Sequence, residues 1–251
     1  MARLWCNDIC FENISAILFD KDGTLADSHA FLKELASVRS RLLEQRIPGT
    51  GAQLMAAFGC LAEAYDPSGL MAVGTRYENE VAAATYVAAT GKPWADALSI
   101  AKDVFVESDR HFTRKAKFTP PFPEIATLLH HFHTAGLKLA VLSGDTTANI
   151  RDFLACYELD SVIAWCAGSE EPPTKPDPSM LQEACEQIGV APSESLVVGD
   201  SALDYQLAQQ GQAQGFVSVT WGGGPAIAAA AAIVSHPSQM CADPEHSHKH
   251  P

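Results

Sequence analysis

An apolar run that stops dead at two carboxylates constrains this chain more than any other feature. Residues 14–19 (Ile-Ser-Ala-Ile-Leu-Phe) are short, apolar and β-rich, which reads as a strand buried on both faces. Asp20-Lys21-Asp22-Gly23-Thr24-Leu25 follows directly. In an extended chain residues i and i+2 project to one side, so Asp20 and Asp22 can enter a single pocket. Gly23 permits the tight turn that closes the strand end. Open parallel sheets bind ligands beyond the carboxyl ends of their strands, which is where this pair lies. Two close carboxylates repel, and the arrangement asks for a cation. Taken alone, the same residues also suit an Asp-rich turn that merely caps a buried strand.

After Leu25 the pattern turns helical for about ninety residues. Phe31, Leu32, Leu35, Val38, Leu42 and Leu43 form one stripe at helical spacing, ending near Pro48-Gly49. Further helical stretches read over 54–65, 77–90 and 93–115, with no convincing buried strand among them. Residues 27–116 are therefore expected to be an all-helical insert. Thr119-Pro120-Pro121-Phe122-Pro123 breaks that pattern and marks re-entry into the first domain. From there strands and helices alternate, which predicts a parallel sheet with right-handed crossovers. Strands are expected at 138–142, 161–166, 195–198 and 215–219, with a short edge strand at 231–234. Helices are expected at 124–134, 178–188 and 202–210. Asp177 is read as the N-cap of the second of these, Pro178 as its first residue and Gly189 as its terminator. The expected organisation is an α/β core of 1–26 and 117–239, a helical cap of 27–116 and a tail of 240–251.

Composition narrows the function classes. Lysine plus arginine number 17 against 30 acids, a net charge of −13, which argues against a general nucleic-acid or anionic-membrane binder. A small anionic substrate needs only a few local donors and stays open. The seven cysteines are scattered, odd in number and lack a CxxC pair, which suits a reduced, cytoplasmic protein. No segment has the apolar length of a bilayer span; 226–234 is too short. Asp8 and Glu12 precede the first apolar run, so it does not read as a signal peptide. The end, 236–251, reads as a solvated tail, with metal capture by His246, His248 and His250 as the lesser reading.

Three later strand ends carry polar groups. Ser143-Gly144-Asp145-Thr146 opens a helix, and a hydroxyl beside helix N-terminal amides can seat an anion, although a serine there can equally be a plain cap. Lys175 precedes a proline, which pushes it into an extended loop position. It is the lone base between Glu170-Glu171 and Asp177, though surface lysines are common. Val197-Val198-Gly199-Asp200 ends a strand, and Asp204 lies four residues on, on the same helix face. Should this strand adjoin the first, Asp20, Asp22, Asp200 and Asp204 converge, and a divalent ion with oxygen ligands turns repulsion into binding. Mg²⁺ fits better than Zn²⁺, since no Cys or His stands among these positions.

Asp-Lys-Asp-Gly-Thr-Leu at 20–25, Leu-Ser-Gly-Asp at 142–145, Lys-Pro-Asp-Pro at 175–178 and Gly-Asp-Ser-Ala-Leu-Asp at 199–204 resemble, in order, the four motifs of the haloacid dehalogenase superfamily. The helical insert after the first motif resembles the phosphoglycolate-phosphatase-like branch in position and helicity. That resemblance implies a Rossmann-like parallel sheet flanked by helices, with an inserted helical cap, and a Mg²⁺-dependent phosphatase acting on a small phosphorylated metabolite such as phosphoglycolate. It implies Asp20 as nucleophile, forming an aspartyl-phosphate, and Asp22 as general acid and base. It implies metal held by Asp20, Asp22 (through its carbonyl oxygen), Asp200 and Asp204, and phosphoryl oxygens held by Ser143, Gly144 and Lys175. The cap would close over the site, with Arg76 meeting an anionic leaving group; a helix-start surface arginine is the competing reading. A sugar phosphomutase and a non-catalytic phosphate-binding module remain alternatives on the same residues. His130, His131 and His133 read as a wet helix face, and Gly222-Gly223-Gly224-Pro225 as a flexible loop.

Overall fold

The computed structural model describes residues 1–61, 64–169 and 172–244. Glu170, Glu171, His246, His248 and His250 lie outside these. Two compact units emerge, Met1–Asp27 with Pro120–Pro251, and Ser28–Thr119.

In chain order, the first unit opens with β1 (Ala2–Cys6), β2 (Ile9–Ile14) and β3 (Ala16–Phe19). The second unit contains α1 (His29–Arg46), α2 (Gly51–Ala57), a two-stranded ribbon of β4 (Cys60–Leu61) and β5 (Ala64–Tyr65), α3 (Leu70–Val73), α4 (Arg76–Ala89) and α5 (Trp94–Asp109). The first unit resumes with α6 (Ile125–Thr134), β6 (Lys138–Leu142), α7 (Thr147–Cys156), β7 (Trp165–Ala167), α8 (Pro178–Ile188), β8 (Ser195–Gly199), α9 (Ala202–Gln210), β9 (Gly215–Val219), β10 (Ala232–Val234) and β11 (Met240–Pro244).

Six strands form one parallel sheet in the order β10-β9-β8-β3-β6-β7. Strand β3 is buried at all four positions, as its unbroken apolar sequence requires. Its two neighbours come from distant parts of the chain: Phe19 pairs with Val141 of β6 on one side and Val198 of β8 on the other. Asp20, one residue on, anchors that edge by donating its N–H to the Val198 carbonyl at 2.9 Å. The residues just past β6 and β8 are thereby brought beside Asp20. One face of the sheet contributes Ala16, Leu18, Ala140 and Val197 to a core completed by Met180, Leu181, Ala184, Cys185 and Ile188 of α8 and Leu207 of α9.

Helix ends follow local chemistry. Asp177 caps α8 by accepting the Ser179 N–H at 2.9 Å, Pro178 takes the first position, and Gly189 ends the helix at φ +63°. Thr75 and Glu78 form a reciprocal capping box at the start of α4. In the second unit, Phe31, Leu35, Leu42 and Leu43 of α1 share a core with Leu54, Phe58, Ala83, Val87, Val104 and Phe105, which is the stripe expected from sequence.

Four differences from the sequence reading have physical causes. The run over 14–19 is split: Ile14 ends β2, Ser15 donates to the Glu194 carbonyl, and β3 starts at Ala16. β2 pairs antiparallel with β1, turning at Asn7 with φ +53°, and β1 also pairs with β11. Met240–Pro244 is therefore a strand, not part of a solvated tail: Met240 and Ala242 are buried, and the Ala242 N–H donates to His131 Nε2 at 3.0 Å. The insert is helical apart from the β4–β5 ribbon, which takes the place of the second half of the helix expected over 54–65. Finally, β7 is shorter than the expected 161–166, because the chain turns where the Val162 N–H bonds the Leu159 carbonyl.

Candidate active site

Asp20, Asp200, Asp204 and Lys175 meet at the carboxyl edge of the sheet. One carboxylate oxygen from each aspartate lies within 4.8 Å of those of the other two. Lys175 Nζ donates to Asp20 Oδ1 at 2.6 Å and to Asp204 Oδ1 at 2.5 Å. The lysine arrives from the loop before α8, where the proline after it keeps it out of the helix.

Local turns aim each acid. Gly23 sits at φ +86°, and a Cβ there would lie 2.2 Å from Asp200 Oδ2, so only glycine lets the first loop pass this close to the second aspartate. A Cβ on Gly199 would likewise stand 2.5 Å from the Asp204 carboxyl carbon. Asp204 is the third residue of α9 and divides its carboxylate between two tasks. Oδ2 accepts from the Ser201 hydroxyl at 2.6 Å and the Ser201 N–H at 3.1 Å, a capping box, while Oδ1 faces Lys175. The Thr24 hydroxyl reaches Asp200 Oδ1 at 3.5 Å.

Electrostatically the centre is short of positive charge. The Asp20 carboxyl is raised to about 7: burial pushes it up most, Lys175 pulls it down, and Asp204 and Asp22 push it up further. Asp200 is raised well above the ordinary carboxylate value, first by burial and then by Asp20 and Asp204. Burial works against the Lys175 ammonium, but Asp20 and Asp204 outweigh it and hold its pKa above the usual lysine value. Two buried carboxylates and a half-buried one against one ammonium leave an uncompensated negative charge, and all three donors are hard oxygens. These residues fit a divalent cation of the Mg²⁺ kind.

The remaining expected site residues are placed differently. Asp22 does not join the acid triad through its side chain: Oδ1 lies 2.8 Å from Lys21 Nζ. Ser143 is buried directly after β6, and its hydroxyl accepts the Asp145 N–H at 3.1 Å. It is not a helix cap, since α7 begins at Thr147 and is capped by Thr146, which accepts the Asn149 N–H. Gly144 is exposed, with open space where a Cβ would be. In the second unit, Arg76 Nε lies 2.8 Å from Glu80 and its Nη1 2.6 Å from Asp109. Two contributors escaped the sequence reading. Lys21, between Asp20 and Asp22 in sequence, is buried, and the only signal was a lysine inside a stretch otherwise destined for the interior. The glycine run after β9 is a fitted loop: Trp221 Nε1 donates to the Thr24 carbonyl at 2.8 Å, and a Cβ on Gly222 would lie 2.4 Å from the Gly23 carbonyl oxygen.

A parallel sheet with an acid-and-lysine centre at its carboxyl edge and a helical insertion after the first sheet strand defines this protein as an α/β enzyme. It belongs to the haloacid dehalogenase-like hydrolases, whose family model matches residues 14–211. It is 29% identical over 209 residues to the phosphoglycolate phosphatase of Shigella boydii serotype 4, with 79% of each chain covered. To the phosphoglycolate phosphatase of Pseudomonas putida it is 27% identical over 216 residues, covering 82% of this chain and 69% of the relative. A crystal structure described as a predicted phosphoglycolate phosphatase from Haemophilus somnus 129pt shares the fold at TM-score 0.69 and 19% identity, covering 91% of this chain and 96% of that one. No helix among the described residues is long and apolar enough to cross a membrane.

Proposed function

We propose that this enzyme is a Mg²⁺-dependent phosphatase that hydrolyses a small phosphorylated metabolite, with phosphoglycolate the leading candidate, through an aspartyl-phosphate on Asp20. The observation that carries the reading is the meeting of Asp20, Asp200, Asp204 and Lys175 at one sheet edge. The names of the curated relatives support the substrate candidate.

The ion would be held by the side chains of Asp20, Asp200 and Asp204, with the Asp22 carbonyl oxygen as a further donor; when bound it neutralises phosphoryl charge and keeps Asp20 ionised. Asp20 attacks phosphorus, and the bond from phosphorus to the leaving oxygen breaks as Asp22 gives that oxygen its proton. Asp22, now a carboxylate, takes a proton from the water that attacks the aspartyl-phosphate, releasing inorganic phosphate and restoring Asp20. Lys175 offsets charge on the transferring oxygens, while the Ser143 hydroxyl and the Gly144 amide donate to them.

The test is hydrolysis of a panel of phosphate monoesters, phosphoglycolate and sugar phosphates among them, with Mg²⁺ and with excess chelator, by wild type and Asp20→Asn. Mg²⁺-dependent release of phosphate that Asp20→Asn abolishes, with its circular dichroism unchanged, is expected. Undiminished turnover in Asp20→Asn would remove the nucleophile assignment. Isomerisation of a sugar phosphate with little phosphate release would instead identify a phosphomutase.

A further inference from the structure

Between Asp20 and Asp22 in sequence stands a lysine that the chemistry above does not use. Lys21 is 1% exposed, and its ammonium lies 2.8 Å from Asp22 Oδ1, 3.1 Å from Asp145 Oδ2 and 5.7 Å from the centre of the Phe153 ring. Burying an ammonium is costly unless carboxylates face it, so this placement binds both acids firmly to it. Its backbone is fixed as well, the Lys21 carbonyl accepting the N–H groups of Leu25 at 2.9 Å and Ala26 at 2.8 Å.

Asp145 carries the connection onward. Its Oδ1 accepts from the Thr146 N–H at 2.9 Å and from Asn149 Nδ2 at 2.7 Å, its N–H donates to Ser143 Oγ, and its carbonyl accepts the Ser169 N–H at 2.8 Å. One ammonium thus joins the Asp22 carboxylate to the loop that bears Ser143 and Gly144.

We propose that Lys21 is a positioning residue: held by Asp145, its ammonium fixes Oδ1 of the Asp22 carboxyl and so orients the other oxygen, Oδ2, which carries the proton to the leaving oxygen. The inference rests on the phosphatase reading above. Lys21 touches neither phosphorus nor metal in this scheme. Its contribution is the geometry of another group, and proton transfer falls off steeply with misplacement.

That role has a signature which general loosening of the fold does not share. A poor leaving group, such as an alkoxide, needs the proton from Asp22, whereas 2,4-dinitrophenolate departs without one. For Lys21→Met, kcat/KM toward an alkyl phosphate should fall about a hundredfold, the lower end of what a general acid contributes, and toward 2,4-dinitrophenyl phosphate by less than about threefold. Asp145→Asn, which keeps side-chain shape and breaks only the second ion pair, should give the same selectivity at smaller amplitude. It also serves should Lys21→Met fail to fold. The double variant Lys21→Met with Asp22→Ala should be no slower on the alkyl ester than Asp22→Ala alone, because both changes remove one function.

Equal losses on the two esters, no loss on either, or additive losses in the double variant would overturn the assignment while leaving the phosphatase intact. Wild-type enzyme inert toward both esters with Mg²⁺ would take the phosphatase reading down and this one with it.

Discussion

Lys175 donates to Asp20 across 155 residues of chain, Nζ to Oδ1 at 2.6 Å, and shares its remaining donors with Asp204. Its charge is opposite to that of the acid cluster, so its removal acts on both fold and chemistry. Lys175→Met should leave the Asp20, Asp200 and Asp204 carboxylates without its ammonium and should lose on the order of a hundred- to a thousandfold in kcat, as expected for removing a fixed charge at a transferring phosphoryl group. Added Mg²⁺ should restore much of the thermal stability of that variant but little of its rate. Steady-state kinetics beside thermal melts, each with and without Mg²⁺, checks both halves.

The raised carboxyls make stability depend on pH. The Asp20 carboxyl titrates near 7 in the fold against 3.8 when exposed, so between those values the folded state binds more protons than the unfolded one. Stability therefore falls as pH rises through that window. Without metal, the protein should melt higher at pH 5.5 than at pH 7.5. Mg²⁺, held by the ionised acids as proposed, should raise the melting temperature more at pH 7.5 than at pH 5.5. A metal-free protein whose melting point climbs steadily from pH 5 to pH 7.5 would contradict this.

Gly23 tests how tightly the ends of β3 and β8 are pressed together. Alanine at φ +86° costs at least about 1–2 kcal/mol from the backbone alone. Its methyl would also displace the Asp200 carboxylate. Gly23→Ala should lower the melting temperature and weaken Mg²⁺ binding, read by calorimetry, and the weakening should exceed that from Gly222→Ala, whose Cβ meets the Gly23 backbone first.

Arg76 was expected to meet an anionic leaving group, and its guanidinium is spent on Glu80 and Asp109 within the helical unit. Both pairs are partly exposed, and such pairs contribute at most about 1 kcal/mol each. Arg76→Ala should shift the melting temperature by only a few degrees. A KM that rises for esters with anionic leaving groups and stays level for neutral ones would support the substrate contact; a KM unchanged for both would leave Arg76 a structural ion pair.

What could be seen in the sequence was whatever obeys a local rule. The strand at Lys138–Leu142 and the helix Pro178–Ile188 are legible because apolar period, N-cap and terminating glycine all sit within a dozen residues. Asp20 and Asp200 are legible because each ends an apolar run at a Gly-containing turn. Pairings that depend on distant partners leave no such mark. Lys21 reads as a charged residue in a loop until Asp145, from another strand end, is known to face it. The Trp221 bond to Thr24 is hidden for the same reason; the Ser201–Asp204 capping box is a local signal, but the Lys175 contact on the other Asp204 oxygen is not. Asn7-Asp8 between two alternating runs was a local hairpin signal, but a short strand gains most of its stability from neighbours, and the third strand of that sheet lies at the other end of the chain.

That third strand yields the last prediction. Met240–Pro244 pairs residue for residue with Ala2–Cys6, buries Met240 and Ala242, and receives the His131 ring at the Ala242 amide. Ending the chain after Gln239 would expose the edge of β1 and return those side chains to water. Burial of a Met side chain is worth about 1.5–3 kcal/mol. With the smaller alanine and the lost cross-strand bonds, the truncated protein should be about 3 kcal/mol less stable, a fall of roughly 6–12 °C in melting temperature for a chain of this size. Ending it after Pro244 keeps every one of these strand contacts, so that form should melt above the shorter one. The catalytic edge belongs to the other sheet, so kcat at a temperature where both truncated forms remain folded should match the full chain. Equal melting points for the two truncations would mean that the antiparallel sheet adds no stability to the fold.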